Sequence, residues 1–424
     1  MLTIDDFPVP KLYLAPMDAQ IRGLVREVVD KKIIPNRKRY DEDWFEHKLI
    51  EPVMKELMVD VGFQKAIFPL ELGGLGYNSL EYRPCAGMNG VLEEIARGDS
   101  GVAVAVGVTL WPYTMCALEP APIRDDLLKE FAPIYCDTEE PRFSALCMTE
   151  PQGGSDIENM DIMHGKTIKT TAKLEKDEWV INGHKLWPTN TGGLPGMHAV
   201  VCTTKLGSTD EKDFAIIWVP TDAKGVRHGD PYLKAGMAAD KNSDVWYEDV
   251  RVPKRYRMHG PGLDAKYFRI AISWGCMGSS AFCVGILINI CEILDRYFSD
   301  KIFQGRPLKE QDAVAAVLSE LVSDAQIMRW AVYEYSHMID RPDLYGYSWD
   351  PEIVAKGRAL KIFATNTLVK DTEKAVDLMG KYGCDRDWDV EKQWRDGKII
   401  QLWMGGLQLC QMETARWFYK CETL

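Results

Sequence analysis

Five short runs rich in β-branched and aromatic residues, at 167–174, 179–181, 198–204, 214–219 and 245–252, crowd into one quarter of the chain. On both sides of this block the apolar residues recur at helical spacing instead. Turn residues such as Asn182-Gly183 and Gly192-Gly193 separate the runs, so they predict one compact β domain rather than alternating βαβ units. Before the block, Ile21, Val25, Val28, Val29 and Ile33-Ile34 form one helical stripe that Pro35 ends. A second helical pattern spans 45–61 and stops at Gly62. Three glycines in 73–76 predict a tight turn, and helix resumes over 91–97. After Pro253, stretches at 276–300, 310–340, 351–380 and 398–421 fit an antiparallel bundle. The expected class is α+β: an N-terminal helical domain at 1–140, a middle β domain at 141–255 and a C-terminal four-helix bundle at 256–424.

The formal net charge of −12 disfavours a nucleic-acid surface, which needs a concentrated basic face. Segment 276–293 is apolar, but Ser279, Ser280, Asn289 and Glu292 interrupt it, which predicts a buried core helix and no membrane span. The first eight residues have neither a basic n-region nor an apolar h-region. The eleven cysteines contain no C-x-x-C pair and the histidines no H-x-x-x-H spacing, so no metal site is expected. Buried thiols in a reducing compartment are the simpler reading, and a cytoplasmic location follows as an expectation.

Two strings carry chemistry. In Met148-Thr149-Glu150-Pro151-Gln152-Gly153-Gly154-Ser155-Asp156, small residues let backbone N–H groups approach an anionic or heteroaromatic ligand, with Thr149 and Ser155 as hydroxyl partners. The same string could also be only a turn. The second string runs from Asn182 to Asn190. Its Asn-Gly is a hairpin signal, and Trp187 and Thr189 are expected to alternate onto one face of the strand that follows. A flat indole beside a hydroxyl suits the wall of an isoalloxazine site.

Together these strings resemble the paired flavin-binding signatures of the acyl-CoA dehydrogenase family. Further ordered matches extend the resemblance along nearly the whole chain: Phe68-Pro-Leu-Glu-Leu-Gly-Gly-Leu-Gly76, Glu93-Glu94-Ile-Ala-Arg97, Trp246-Tyr-Glu-Asp-Val-Arg-Val-Pro253, 297–311, Gly380-Lys-Tyr-Gly383 and Trp394-Arg-Asp-Gly-Lys398. The resemblance implies an acyl-CoA dehydrogenase-like fold, bound FAD, an acyl-CoA substrate, electron-transfer flavoprotein as acceptor and a homotetramer. It places Leu146, Met148, Thr149, Gly154 and Ser155 near the flavin or thioester chain, and Trp187 and Thr189 beside flavin N5. It sends Lys301, Gln311 and the turn bearing Asp377, Gly380 and Lys381 to the FAD of a neighbouring subunit, and returns Gly406 and Gln408 to the cofactor. Ser155, Arg269, Trp403 and Met404 would face the substrate. Lys301 stands where the family usually has Arg, exchanging a bidentate fork for a point charge.

The chain departs from the family at the base. The common Glu before Gly, which takes the α-proton while hydride passes to flavin N5, is here Met404. The alternative base position falls on Phe268 or Gly275, depending on register, and neither is acidic. A positioned base is worth about 10²–10⁴-fold. The Met404 N–H could still serve the thioester oxygen. Three readings stay open. One is a dehydrogenase with a relocated base, Glu93, suited to an alicyclic or unsaturated acyl group. Another is the same fold performing enoyl reduction or elimination. The third is a non-catalytic FAD- or CoA-binding subunit of a hetero-oligomer. The competing reading of Glu93 is a charge at a helix or domain contact.

Overall fold

A computed structural model describes residues 1–160 and 167–422. Its N-terminal part is helical: α1 (Asp18–Val28), α2 (Pro84–Gly98), α3 (Ser100–Leu110) and α4 (Asp125–Cys136). The Asp99 carboxylate separates α2 from α3 by accepting the Val102 N–H at 3.0 Å as an N-cap. The pattern at 45–61 is not one continuous helix. Regular helix begins at Glu51 and continues through the wider turn Glu56–Asp60. Upstream, the Asp43 carboxylate accepts the N–H groups of Lys48, Leu49 and Ile50, and this local bonding replaces helical partners. Gly62 then ends the segment at φ +87°, where a side chain would be strained.

The middle part is a seven-stranded sheet among the described residues: β1 (Phe143–Cys147), β2 (Thr171–Glu175), β3 (Glu178–Lys185), β4 (Gly196–Thr203), β5 (Phe214–Pro220), β6 (Val226–His228) and β7 (Val245–Pro253). The path runs β1-β4-β2-β3-β7-β6, with β5 antiparallel on β4. Asn182-Gly183 is not the hairpin turn that the dipeptide suggests. It lies inside β3 at a bulge between Ile181 and Gly183. A Cβ on Gly183 would stand 2.6 Å from the Thr170 Cα, so glycine is needed there for close backbone approach. The turn between β2 and β3 is made by Lys176 and Asp177, Lys176 at φ +57°.

The C-terminal part contains α5 (Leu263–Asp300), α6 (Asp312–Asp340), α7 (Pro351–Met379), α8 (Val390–Leu402) and α9 (Gly406–Tyr419). The helix α5 is long and apolar enough to cross a membrane by length and composition, but almost all of its apolar window is buried against the rest of the chain. It packs on α2, α6 and α7. A Cβ on Gly285 would sit 2.2 Å from the Glu93 carbonyl oxygen, so α5 and α2 meet backbone to backbone. That contact carries the inner face of α2 to the cavity described below.

One charge in the bundle gives a pH-dependent prediction. Asp371 of α7 is shut away from water, 3.3 Å from Lys370 Nζ, which also donates to Asp324 of α6 at 2.9 Å. Burial, reinforced by the Asp324 charge and opposed by Lys370, lifts the Asp371 carboxyl to about 7. A carboxyl raised on folding contributes stability below its unfolded value near 4 and loses it as pH rises towards 7. Asp371→Asn should therefore be more stable than the parent at pH 8 by about 1–3 kcal/mol, with the gain gone at pH 4. Thermal unfolding at the two pH values checks this. An equal gap at both would remove Asp371 as its cause.

Candidate active site

The two signature strings are tied together by a buried ion pair that sequence reading passed over. Lys185 Nζ lies 2.7 Å from Glu150 Oε1 and donates to the Met148 carbonyl at 2.8 Å. The Leu186 N–H donates to the Thr149 carbonyl at 2.9 Å. Burial alone would raise the Glu150 carboxyl. Lys185 and the N–H of Lys169 outweigh it and hold Glu150 below the usual carboxylate range. The pair thus fixes Met148 and Thr149 beside Trp187. Asn190 anchors the other end, donating to the carbonyls of Ala105 and Ser144 at 2.8 and 3.1 Å.

Residues 186–188 are not strand. Trp187 takes φ +62°, its carbonyl accepts from Asn242 at 2.8 Å, and its ring stacks on Tyr232 with centroids 3.9 Å apart. Trp187 and Thr189 nevertheless reach the same cavity, by a turn rather than by strand alternation. The indole is 47 % exposed, an open apolar face at the cavity wall.

The cavity encloses about 810 Å³ between the β domain and the helices. Leu146, Met148, Thr149, Gly154, Ser155, Trp187 and Thr189 line one side. Met88 and Leu92 of α2, Trp274, Gly275, Ser279 and Phe282 of α5, and Trp111, Trp403 and Met404 line the other. Two indole N–H groups are satisfied in the walls: Trp111 donates to the Ala271 carbonyl at 2.7 Å and Trp403 to Ser279 Oγ at 2.8 Å. What they offer a ligand is flat apolar surface. A Cβ on Gly275 would lie 2.5 Å from Met404 Cε and 3.0 Å from its Sδ. Positions 404 and 275, two of those where a base was sought, are therefore one place, and a thioether fills it.

The charged side chains on the cavity wall, among the described residues, are Glu158, Lys234 and Asp240. Lys234 and Asp240 pair at 3.3 Å, and Thr189 donates to Asp240 Oδ2 at 3.2 Å. Burial moves both partners towards their neutral forms, lifting the Asp240 carboxyl and lowering the Lys234 ammonium, against their mutual attraction. Asp240 Oδ1 is buried without a hydrogen-bond partner among the described residues. Glu158 ends the helical turn Ser155–Glu158, and its carboxylate lies 3.4 Å from Nη1 and Nη2 of Arg358 of α7. Nη1 also donates to the Met404 carbonyl at 2.7 Å, while Nε engages Glu413. Lys361 donates to the Trp403 carbonyl at 2.8 Å, so two buried cations hold the 403–404 backbone.

Several expected site residues lie elsewhere. Glu93 does not line the cavity. Its carboxylate is fully buried and held by Arg329 at 3.1 and 2.6 Å, by the Tyr333 hydroxyl at 2.9 Å and by Arg22 at 3.3 Å. One residue past Leu92 it points about 100° away round α2, so the expectation of Glu93 as the base is corrected. Arg269 lines a separate, smaller pocket with Met160 and Arg416 and lies 3.5 Å from Glu211. Gly406 and exposed Gln408 also fall outside the cavity wall. Lys301 approaches the rings of Tyr297 and Tyr382 at 5.3 Å each, which brings it to the exposed turn with Asp377, Gly380 and Lys381. Gln311 reaches back to the Phe303 carbonyl at 3.4 Å. That group forms an outer surface, apart from this chain's own cavity.

The fold and its apolar cavity suit a flavin-dependent oxidoreductase, the class to which the chain's three domain matches assign it. Models of the N-terminal, middle and C-terminal domains of acyl-CoA dehydrogenases match residues 16–118, 145–250 and 265–417, and the chain belongs to that family, whose members act on CH–CH groups of acyl-CoA thioesters. It is 26 % identical over 402 residues to cyclohexane-1-carbonyl-CoA dehydrogenase of Syntrophus aciditrophicus (strain SB), covering 92 % of this chain and 94 % of that protein. It is also 26 % identical over 394 residues to that organism's cyclohex-1-ene-1-carbonyl-CoA dehydrogenase, covering 93 % and 87 %. Butyryl-CoA dehydrogenase from Megasphaera elsdenii shares the fold at TM-score 0.81 and 20 % identity, over 96 % of this chain and 99 % of that one. Podospora anserina nitroalkane oxidase does so at 0.82 and 21 %, over 96 % of each.

The cofactor is FAD, and the residues fit it. A Cβ on Gly154 would stand 2.9 Å from Thr149 Oγ1, so the loop leaves no room for a larger residue facing that wall. Beside it lie the Trp187 indole, the Thr189 hydroxyl bonded to Asp240 and Asn242, and an Asp240 oxygen without a hydrogen-bond partner among the described residues. These groups can hold a flat, hydrogen-bonding ring system.

Proposed function

We propose that this protein dehydrogenates an alicyclic or unsaturated acyl-CoA thioester, passes the electrons to electron-transfer flavoprotein and works as a homotetramer. The observation that carries the substrate reading is the volume of the cavity, about 810 Å³, and its walls of Trp111, Trp274, Phe282 and Trp403. Flat apolar walls suit a ring better than a thin chain. The names of the two Syntrophus relatives support the same class.

Bound FAD would supply the hydride acceptor. The chain's own contribution is placement. Met148, Thr149, Trp187 and Thr189 would hold the ring system. Lys361 fixes the Trp403–Met404 peptide through its carbonyl, and a trans peptide aims the Met404 N–H the opposite way. We assign that N–H to the thioester oxygen, where it would stabilise charge developing on proton loss. On the outer surface Lys301, Gln311 and the 380–383 turn would meet the cofactor of a neighbouring subunit.

Anaerobic titration of the FAD-loaded protein tests this reading. Cyclohexane-1-carbonyl-CoA should bleach the flavin at least about tenfold faster than butyryl-CoA, the scale of one or more misplaced methylenes in a pocket. The filled base position favours one competing reading, different chemistry on the same fold. No bleaching by saturated thioesters, with oxidation of pre-reduced flavin by an enoyl-CoA, would establish that alternative. Thioester binding without any redox change would make the chain a non-catalytic subunit.

A further inference from the structure

The Met404 thioether leaves the family's proton acceptor missing, while a carboxylate absent from the sequence reading lies on the same cavity wall. We propose that Glu158 is the general base of this site, the group that takes the carbon-bound proton of the thioester. The proposal rests on the dehydrogenase reading above.

Four observations carry it. Glu158 lines the cavity, yet only 5 % of its surface is exposed, so a bound ligand rather than bulk water would be its neighbour on the open side. It stands at the end of the helical turn that follows the Gly-Gly of the flavin loop. One nitrogen, Arg358 Nη1, touches both Glu158 and the Met404 carbonyl, so a single cation ties the carboxylate to the backbone of the residue whose role it would take. Finally, the guanidinium is shared unequally. Glu413 takes Nε in a close contact and the Met404 carbonyl takes Nη1 at 2.7 Å, while Glu158 stands off at 3.4 Å. The longer distance holds Glu158 less tightly than Glu413, since charge-assisted bonds are strongest when short. Burial, opposed by Arg358 and Lys361, lifts its carboxyl above the usual range, which strengthens it as a base.

The other cavity carboxylate, Asp240, is less free for this role. It pairs with Lys234 and accepts from Thr189, on the wall that also carries Trp187. In the step proposed, the C–H bond breaks and its proton goes to a Glu158 oxygen. Its electron pair forms the new C=C bond as the neighbouring carbon loses hydride to FAD, the oxidant.

The test separates proton removal from oxidation. FAD-loaded protein is incubated anaerobically with cyclohexane-1-carbonyl-CoA in D₂O. Flavin bleaching is followed optically, and deuterium in the recovered thioester by mass spectrometry. Glu158→Gln should lower both bleaching rate and deuterium uptake by about 10²–10⁴-fold while thioester binding and flavin content stay near the parent's. Glu158→Asp, which keeps the charge, should lose less. Adding Met404→Glu to Glu158→Gln should restore uptake at least in part. Uptake by Glu158→Gln within threefold of the parent overturns the proposal, and so does joint loss of flavin, binding and uptake in both Glu158→Gln and Glu158→Asp, the mark of a structural role. If the parent does not bleach but exchanges deuterium, and Glu158→Gln does not, the dehydrogenase reading fails while Glu158 stands. Neither bleaching nor exchange in the parent overturns both.

Discussion

Glu93→Ala should lower the free energy of unfolding by about 3–5 kcal/mol, the range for removing one partner of a buried charge cluster. Glu93 is fully buried, and Arg329, itself almost wholly buried, spends Nε and Nη2 on it. The same guanidinium uses Nη1 to hold the carbonyls of Ile4 and Phe7, so losing its counter-charge also loosens the N-terminal segment. Arg22 and the Tyr333 hydroxyl complete the shell. Glu93→Gln keeps the shape without the charge, and should cost less than the alanine variant. Chemical denaturation measures both. Folded Glu93→Gln should still take up deuterium at the parent's rate within about threefold, because the carboxylate faces away from the cavity. A stable Glu93→Gln protein devoid of uptake would reinstate Glu93 as the base.

Much of the fold is legible because the helix and strand periodicities differ and each element here is long enough to show its own. The five β runs fall within or across β2, β3, β4, β5 and β7, and the four C-terminal stretches lie on α5 to α9. The misses have local causes. β1 is buried along its whole length, so it lacks alternation, and β6 has only three residues. The dipeptide Asn182-Gly183 favours a turn, but pairing with β2 and β7 carries the strand through it with a bulge. At the site, residues on the two signature strings were found and residues brought in from distant segments were not. Arg358 and Lys361 reach the 403–404 backbone from α7, and Asp240 reaches Thr189 from fifty residues away. Glu158 is the instructive miss. It follows the flavin loop by two residues, and only the folded chain shows that it shares a cation with Met404.

Arg358→Met should be the most damaging change at the site itself, and its damage should depend on pH. The guanidinium is wholly buried and serves Glu158, Glu413 and the Met404 carbonyl together. Methionine fills similar volume but supplies no donor, so two buried carboxylates lose that cation, at a cost of about 3–5 kcal/mol near neutral pH. Burial already lifts the Glu158 carboxyl against the pull of Arg358, and without that pull it rises further. A carboxyl raised on folding contributes its stability below the unfolded value and loses it as pH climbs through the folded one. The deficit of Arg358→Met relative to the parent should therefore be larger at pH 8 than at pH 5, where protonation relieves the stranded charge. Lys361 remains to hold the Trp403 carbonyl, so the cavity backbone should loosen on one side only. Arg358→Lys keeps the charge but not the fork that spans three acceptors. It should fold more stably than the methionine variant and still reduce flavin at least about tenfold more slowly than the parent, as expected for a base that has lost its positioning. Denaturation curves at pH 5 and pH 8, with anaerobic reduction rates for the lysine variant, decide the matter. A deficit that is the same at both pH values would mean that packing, not compensation of the buried carboxylates, is what Arg358 supplies.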